Sequence, residues 1–106
     1  MFRLLGQLKY QQLVVSNKPI IVLFSASWCA PCQAFKPTFK AAAKGNTKMT
    51  FIVADADDHA EIFEEYNVSR IPTVKIFHKQ SLQTEFNGAD KKKFQDFLHS
   101  YLADVW

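Results

Sequence analysis

Along this chain, apolar residues occur either in short runs, which predict strands, or three and four positions apart, which predicts helices. The clearest strand signal is at 20–25, where an unbroken apolar run from Ile20 to Phe24 has the β-branched and large side chains typical of a strand in the middle of a sheet. A hairpin through 79–81 would join the last two predicted strands. The predicted strands lie at 2–4 (a short edge strand), 20–25, 49–54, 73–77 and 84–86.

Helical spacing is clear between the second and third of these strands. A helix at 31–44 would carry apolar side chains on one face, at Phe35, Phe39, Ala42 and Ala43. Pro31 lies in the first turn, where a missing amide N–H is tolerated. Pro37 is interior and should kink the helix, and Gly45-Asn46 should end it.

Three other helices are predicted. A mixed apolar pattern predicts one that ends before the turn residues at 16–19. Asp58 and Glu61 form a pattern like a capping box and predict a short second one. Its buried stripe would be Ile62, Phe63 and Tyr66. Asp90 can cap the last helix, which has the strongest amphipathic pattern. Its apolar face would be Phe94, Phe97, Leu98, Tyr101 and Leu102.

The order of these elements predicts an α/β fold with a central mixed β-sheet flanked by helices on both faces. The chain has 106 residues and no linker, repeat or low-complexity segment, so we expect a single domain at 1–106. Ten phenylalanines and a hydrophobic content of 48% supply a core large enough to fold without a disulfide.

Charge changes this interpretation little. The net charge is +3, with acidic and basic residues interspersed, and the longest basic run, Lys91-Lys92-Lys93, fits a solvated first helical turn. We therefore expect no nucleic-acid binding. We also expect no membrane span and no signal peptide. With only two cysteines, the cytoplasm is the simplest location.

The two cysteines, Cys29 and Cys32, carry the candidate chemistry. They follow the strand at 20–25 and open the helix at 31–44, so both sulfurs should lie at the helix N-terminus. Unpaired N–H groups and the positive end of the helix dipole favour a thiolate there. Cys29 would be the exposed nucleophile and Cys32 the resolving thiol of a disulfide exchange.

Other uses of this pair fit less well. A structural disulfide between residues three apart would stabilise little by chain entropy. Zinc needs four ligands. The remaining candidates are scattered, at His59, His78 and His99. Two chains could share an iron–sulfur cluster, but Pro31 makes the turn rigid and disfavours it. We therefore expect no metal.

Several segments resemble the thioredoxin family. Trp28-Cys29-Ala30-Pro31-Cys32 is similar to the family's active-site motif, with Ala30 where the family commonly has Gly. Phe24-Ser25-Ala26-Ser27 and Pro37 match the residues around that motif. Ile71-Pro72-Thr73 resembles the cis-proline loop, and Asn87-Gly88-Ala89-Asp90 resembles the turn before the last helix. The resemblance covers nearly the whole chain and implies the thioredoxin fold and protein-disulfide reductase activity.

The resemblance also implies a docking surface for target proteins. The Ile71–Pro72 bond is expected to be cis, with the Ile71 backbone free to pair with an extended target segment. Trp28, Ile71 and Gly88 would form a shallow lip, and Ala30-Pro31 would support the active site between the thiols.

Partners follow from the same resemblance. They would be disulfide-containing target proteins and an NADPH-dependent flavoprotein thioredoxin reductase as electron donor. The chain has no Gly-rich nucleotide motif, so we expect it to hold no cofactor itself. It has no further cysteine for covalent dimerisation, and we expect a monomer.

Two departures from the family pattern concern the layer beneath the motif. Leu23 stands where the family usually buries an Asp that is thought to relay a proton for the resolving thiol, and Val53 stands where a partner Lys often lies. Burial without a charge partner disfavours a thiolate, so deprotonation of Cys32 should be slow or rely on water. Asp55 and Asp57 are interpreted as capping or solvated residues.

Three functions remain open from sequence. The first is a protein-disulfide reductase that acts through Cys29 and Cys32. The second is a disulfide oxidase or isomerase with the same cysteines and a higher reduction potential. The third is a thioredoxin-fold adaptor, a binding module whose redox activity is incidental, which the apolar Leu23 keeps open.

Overall fold

Four strands form one sheet in the computed structural model, which describes residues 18–79 and 81–105. The strands are β1 (Ile20–Ser25), β2 (Thr50–Asp55), β3 (Thr73–His78) and β4 (Ser81–Asn87). Their order across the sheet is β2-β1-β3-β4, with β1 parallel to β2 and antiparallel to β3, and β4 antiparallel to β3. This confirms the predicted mixed sheet. The predictions of a strand at 2–4 and of a helix ending before 16 lie outside the described residues.

Strand β4 begins three positions earlier than the sequence predicted. His78 pairs with Ser81, so Ser81 belongs to the strand instead of the turn. The register shifts between Ile76 and Phe77, which pair with Thr84 and Leu82. Such a bulge breaks the apolar alternation from which a strand is recognised. The first residues of β4 are also exposed, so they carry no pattern of burial.

The described helices are α1 (Ala30–Gly45), α2 (Ala60–Glu65) and α3 (Lys91–Val105). Helix α1 begins one residue before the predicted start, with Pro31 in its first turn. It continues through Pro37, and the kink at that residue stays a prediction. Asn46 follows the helix and its side-chain amide donates to the Ala42 carbonyl over 2.8 Å. The predicted end of this helix is therefore confirmed.

The two predicted caps differ in outcome. Asp90 caps α3, because its Oδ1 accepts the Lys93 amide over 2.9 Å. The cap expected at Asp58 is wrong. Helix α2 begins after His59, whose side chain makes no capping bond. The amides of Asp58 and His59 both donate to the Asp55 carbonyl. The chain therefore makes a turn around that carbonyl before the helix starts.

Apolar side chains are buried on both faces of the sheet, as the sequence predicted. One cluster joins the sheet to α1 and α3 and includes Leu23, Phe35, Phe39, Val74 and Phe94. The other joins the opposite face to α2 and includes Val22, Phe24, Ile52, Ile62 and Phe77. Aromatic rings meet edge to face in both, since Phe35 and Phe94 are 5.0 Å apart and Phe24 and Phe63 are 5.1 Å apart.

The strand directions bring four loops to one end of the sheet. Parallel strands β1 and β2 end there, and so does β4, while β3 begins there. The register aligns Ser25 with Asp55, and Thr73 with Asn87. The segment that carries Cys29, the turn after β2, the Ile71-Pro72 loop and the turn at Gly88 therefore lie at the same edge.

Candidate active site

Cys29 and Cys32 are joined by a disulfide bond, with their Cα atoms 5.3 Å apart. Cys29 is the residue that precedes α1, and its backbone is extended. Its sulfur accepts the amide N–H of Cys32 over 3.3 Å. A thiolate at Cys29 would lie at the N-terminus of a sixteen-residue helix, where the helix dipole stabilises negative charge. The predicted placement of both sulfurs is confirmed.

The accessibility of Cys29 differs from the prediction. We expected an exposed nucleophile, but only 7% of Cys29 is exposed, while Cys32 is fully buried. Cys29 is covered because it is buried in a cluster with Ala26 and Cys32. Ala56 and Ile71, which are distant in sequence, pack against this cluster. Cys29 remains the more accessible of the two residues, which is consistent with attack by Cys29 and resolution by Cys32.

The other residues of the motif face solvent. Trp28 is 71% exposed, so it is a surface aromatic side chain and not part of the core. Ala30 and Pro31 form the first turn of α1 and are also exposed. A target protein could therefore contact this side of the disulfide without displacing buried side chains.

The loop opposite the cysteines has the predicted geometry. The Ile71–Pro72 peptide bond is cis. Ile71 is half-buried and packs against the cysteines. The Gly88 amide donates to the Pro72 carbonyl over 3.0 Å, and Gly88 has a φ of 111°, which L side chains rarely adopt. The structure thus brings Ile71, Pro72 and Gly88 to the cysteine end of the sheet.

Asp57 has a role at this site that the sequence interpretation missed. Its Oδ2 accepts the Ser27 hydroxyl in a short hydrogen bond and the Ser27 amide over 3.2 Å. These two bonds hold the pKa of the Asp57 carboxyl below its ordinary value, and a bond from the Trp28 side chain acts in the same direction. The two hydrogen bonds to Asp57 therefore connect the segment before Cys29 to the turn after β2. An Asp just beyond a parallel neighbour strand was the signal that could have pointed to this contact.

The layer beneath the motif is apolar. Leu23 pairs with Val53 on one side and with Val74 on the other, and all three are buried in the cluster that contains Phe35 of α1. Neither strand position supplies a charged group. The consequence for Cys32, slow or water-assisted deprotonation, stays a prediction.

Two polar residues lie at the same end of the sheet, one strand apart. Ser25 is fully buried, and its hydroxyl has no hydrogen-bond partner among the described residues. Asp55 is also buried, and its Oδ1 accepts the Asp57 amide over 2.9 Å. Asp55 therefore stabilises the turn that contains Asp57, and its side chain caps an amide only two residues away.

Other chemistry is not apparent in this part of the chain. Within residues 18–79 and 81–105, no three His, Cys, Asp or Glu side chains form a group that could hold a metal ion. The same residues contain no helix with the length and hydropathy needed to cross a membrane. A cavity of about 550 Å³ lies between α1 and α3, and neither cysteine lines it.

Comparisons with known proteins agree with the site. The family model described as Thioredoxin matches residues 3–100. Thioredoxin 1 of Plasmodium falciparum (isolate 3D7) is 31% identical over 98 residues, which are 92% of this chain and 94% of that protein. Thioredoxin of Oryctolagus cuniculus is 37% identical over 86 residues, which are 81% of this chain and 82% of that protein.

A solved structure of Plasmodium falciparum thioredoxin superposes with a TM-score of 0.89 at 29% identity, and covers 93% of this chain and 98% of that chain. The mixed sheet, the helices on both faces and the cysteine pair at the start of α1 agree with that similarity. With a family match over almost its whole length, the chain belongs to the thioredoxin family.

Proposed function

We propose that this thiol-disulfide oxidoreductase reduces disulfide bonds in target proteins, with Cys29 as nucleophile and Cys32 as resolving thiol. The observation that carries the proposal is the position of the Cys29 sulfur. It lies at the N-terminus of α1, accepts the Cys32 amide, and has the buried Cys32 sulfur bonded directly to it.

The reaction consists of two exchanges. In the reduced protein, the Cys29 thiolate attacks one sulfur of the target disulfide, and the other target sulfur leaves and takes up a proton. Cys32 then loses its proton and attacks the Cys29 sulfur. The second target thiol leaves, and the Cys29–Cys32 disulfide forms. The target has gained two electrons, which the cysteine pair has lost.

The geometry supports a fast second step. The two Cα atoms are already 5.3 Å apart, a normal separation for a disulfide, so resolution needs no large backbone movement. An intramolecular thiol held at this position acts at a high effective concentration. The mixed disulfide should therefore be short-lived in the native protein.

Target docking is assigned to the exposed surface around the disulfide. Trp28 offers a flat apolar side chain, and Ile71 lies against the cysteines with its backbone in the cis-proline loop. Gly88 adds no side chain beside Pro72. An extended target segment would pair with the Ile71 backbone as a short added strand. Ala30 and Pro31 set the turn between the thiols.

Membership of the thioredoxin family implies reduction of the oxidised pair by a thioredoxin reductase. We propose, more specifically, an NADPH-dependent flavoprotein as the donor, a monomeric protein, and action in the cytoplasm in electron transport and redox homeostasis. The two cysteines, without further thiols for covalent dimerisation, support the monomer and the cytoplasmic location.

The first experiment is the reduction potential of the cysteine pair in glutathione or dithiothreitol buffers. A value at or below the cytosolic poise, about −220 to −320 mV, would support a reductase. A value near −120 mV would support an oxidase or isomerase instead.

Single cysteine variants test the assigned roles and the adaptor alternative. Cys29→Ser should abolish reduction of insulin disulfides, and Cys32→Ser should trap a mixed disulfide with the target. If partner binding and cellular phenotype both survive Cys29→Ser, the protein is an adaptor and the reductase proposal is wrong.

A further inference from the structure

A lysine is buried in the sheet close to the cis-proline loop. Lys75 lies in the middle of β3, and only 6% of its side chain is exposed. Its ammonium is 3.0 Å from Oε1 of Glu85, its cross-strand partner in β4. Buried lysines are rare because the charge loses its hydration, so they are usually paired. One carboxylate oxygen, however, occupies only one of the three donors of an ammonium group.

The Lys75 side chain lines a small polar cavity of about 100 Å³. Its wall also includes the polar residues Asn67, Ser69 and Arg70, together with Thr73 and Asn87. A carboxylate group with its first methylene fits in a space of this size. Besides the cationic groups, the lining offers it the Ser69 hydroxyl and the Asn67 side-chain amide as hydrogen-bond donors.

The charges around the cavity are unequal. Lys75 and Arg70 are cationic, and Glu85 is the single carboxylate in the lining. Glu85 is 42% exposed, so its side chain can move toward solvent, whereas Lys75 cannot. An incoming carboxylate could therefore pair with the buried Lys75 ammonium and with Arg70, while the Glu85 carboxylate that competes for Lys75 moves toward solvent.

The cavity shares its wall with the loop assigned to target docking. Arg70 and Thr73 flank the Ile71-Pro72 pair, and the Thr73 hydroxyl donates to the Arg70 carbonyl over 2.7 Å. The Asn87 side-chain amide donates to the Thr73 hydroxyl over 2.8 Å, just before Gly88. A segment paired with the Ile71 backbone would thus pass beside the cavity opening.

We propose that this cavity binds an aspartate or glutamate side chain of the target protein, close in sequence to the target cysteine, and that acidic targets are thereby preferred. The inference rests on the proposed function, because it assumes that targets dock along Ile71. Residues of an extended segment rise about 3.3 Å each, so the acidic residue should lie within a few positions of the cysteine.

The test uses short peptides with one cysteine in a mixed disulfide with 5-thio-2-nitrobenzoate. In the reduced protein, the Cys29 thiolate attacks the peptide sulfur and releases the coloured thiolate, and Cys32 then displaces the peptide thiol as the Cys29–Cys32 disulfide forms. A Glu is placed in turn at each position within four residues of the cysteine, and a matched peptide carries Gln at that position. The ratio of the second-order rate constants of thiolate release for each Glu and Gln pair, measured in a single turnover, gives the preference for a carboxylate.

For at least one position we expect the Glu peptide to react about tenfold faster than the Gln peptide, as for a charge-assisted hydrogen bond. Arg70→Gln and Lys75→Met should reduce this ratio toward one. Glu85→Gln should raise it, because it removes the competing charge but keeps an acceptor for Lys75. Lys44→Gln, an exposed cation at the far end of α1, should leave the ratio unchanged.

The exposed sites Arg70 and Glu85 keep the test valid if Lys75→Met fails to fold. Equal rates for Glu and Gln peptides at every position would overturn the proposed subsite and leave the reductase function intact. A loss of preference in Lys44→Gln as large as in Arg70→Gln would overturn it in favour of general attraction by the net charge. Failure of the wild type to react with any peptide would contradict the proposed function itself, and the subsite with it.

Discussion

At the scale of single residues, polar side chains hold together the loops that surround the disulfide. Asp57 binds Ser27 and so connects the turn after β2 to the segment before Cys29. Asn87 binds Thr73, which binds the Arg70 carbonyl, and these bonds connect the end of β4 to the cis-proline loop. The Asp57–Ser27 and Asn87–Thr73 bonds link residues 30 and 14 positions apart in sequence, whereas the Thr73–Arg70 bond is local, and together they connect the exposed loops of the docking surface.

Asp57→Asn should weaken target docking more than chemistry. The substitution removes the charge that accepts two Ser27 donors, so the Ser27-Trp28 segment should become less ordered. We expect KM for a protein disulfide to rise several-fold with little change in kcat. Asp58→Asn is the matched control. It removes a negative charge from the adjacent residue, which does not bond to Ser27, and it should leave KM unchanged. An equal effect of both variants would mean that charge, not the Ser27 contact, matters.

The same carboxylate predicts a pH dependence. The folded-state pKa of Asp57 is lowered by its bonds from Ser27, so its contribution to stability is complete above its ordinary pKa of about 4. The contribution is lost as the pH falls through the lower folded-state value. Urea unfolding from pH 7 down to pH 2 should therefore show a smaller loss of stability on acidification in Asp57→Asn than in the wild type. Identical profiles would contradict the assignment.

Two buried hydroxyls on the sheet should respond oppositely to removal. The Ser25 hydroxyl is unpartnered among the described residues, so Ser25→Ala should leave stability unchanged or raise it by about 1 kcal/mol. The Thr73 hydroxyl donates and accepts, so Thr73→Val should destabilise by about 1–3 kcal/mol. Urea unfolding at pH 7 measures both. Destabilisation by Ser25→Ala would show that its hydroxyl has a partner, such as a buried water.

At the scale of elements, the active-site helix α1 is held in place by α3. Phe35 lies three residues beyond Cys32 and meets Phe94 of α3 edge to face at 5.0 Å. Phe94 is fully buried and is also close to the rings of Phe39 and Phe86. The position of the cysteine turn therefore depends on a helix that begins some sixty residues later in the chain.

Phe94→Ala should test this dependence. A fully buried Phe replaced by Ala leaves a cavity and destabilises by about 3–5 kcal/mol. Phe97→Ala, on the same helix but half-buried, should destabilise by less than half as much. Chemical denaturation of both variants in the oxidised state makes the comparison. Similar losses would mean that α3 is anchored evenly along its length and not at Phe94.

At the scale of the whole molecule, β1 couples the core to the chemistry. It lies between β2 and β3, all six of its residues are buried, and the cysteine segment continues from its end. Leu23 lies in this strand with Val53 and Val74 beside it. This apolar layer contributes to stability, but none of its three side chains can accept a proton from Cys32.

Leu23→Asp should exchange stability for rate. Burial raises the pKa of a carboxyl in the folded protein above its unfolded value of about 3.9. The variant should therefore lose stability progressively as the pH rises from the unfolded-state pKa to the folded-state pKa. The total loss at neutral pH should be at least about 3 kcal/mol. Resolution of the mixed disulfide by Cys32 should accelerate, and Leu23→Asn should lose stability with no such gain. The resolution rate measured over a range of pH checks the cause: equal rates in Leu23→Asp and Leu23→Asn would contradict proton transfer from Cys32 to the Asp carboxylate.

Much of the fold and of the site was predictable because local rules apply to those residues. The segment at 20–25, apolar from Ile20 to Phe24, became the central strand and is buried throughout, and the face from Phe35 to Ala43 became the buried side of α1. The spacing of Cys29 and Cys32 placed both sulfurs at a helix start. The strand β4 was only partly predicted, since its exposed residues and its bulge leave no regular pattern.

The sequence by itself determined most of the elements and the identity of the redox pair, because periodicity, turn residues and cysteine spacing act within short segments. The order of those elements along the chain indicated the mixed sheet. Tertiary structure alone decided that Cys29 is mostly covered, that Asp57 fastens Ser27, and that Lys75 lies beside a polar cavity next to the docking loop. These features arise where segments far apart in sequence meet at one end of the sheet. Their contacts depend on strand order and register, which no local pattern encodes.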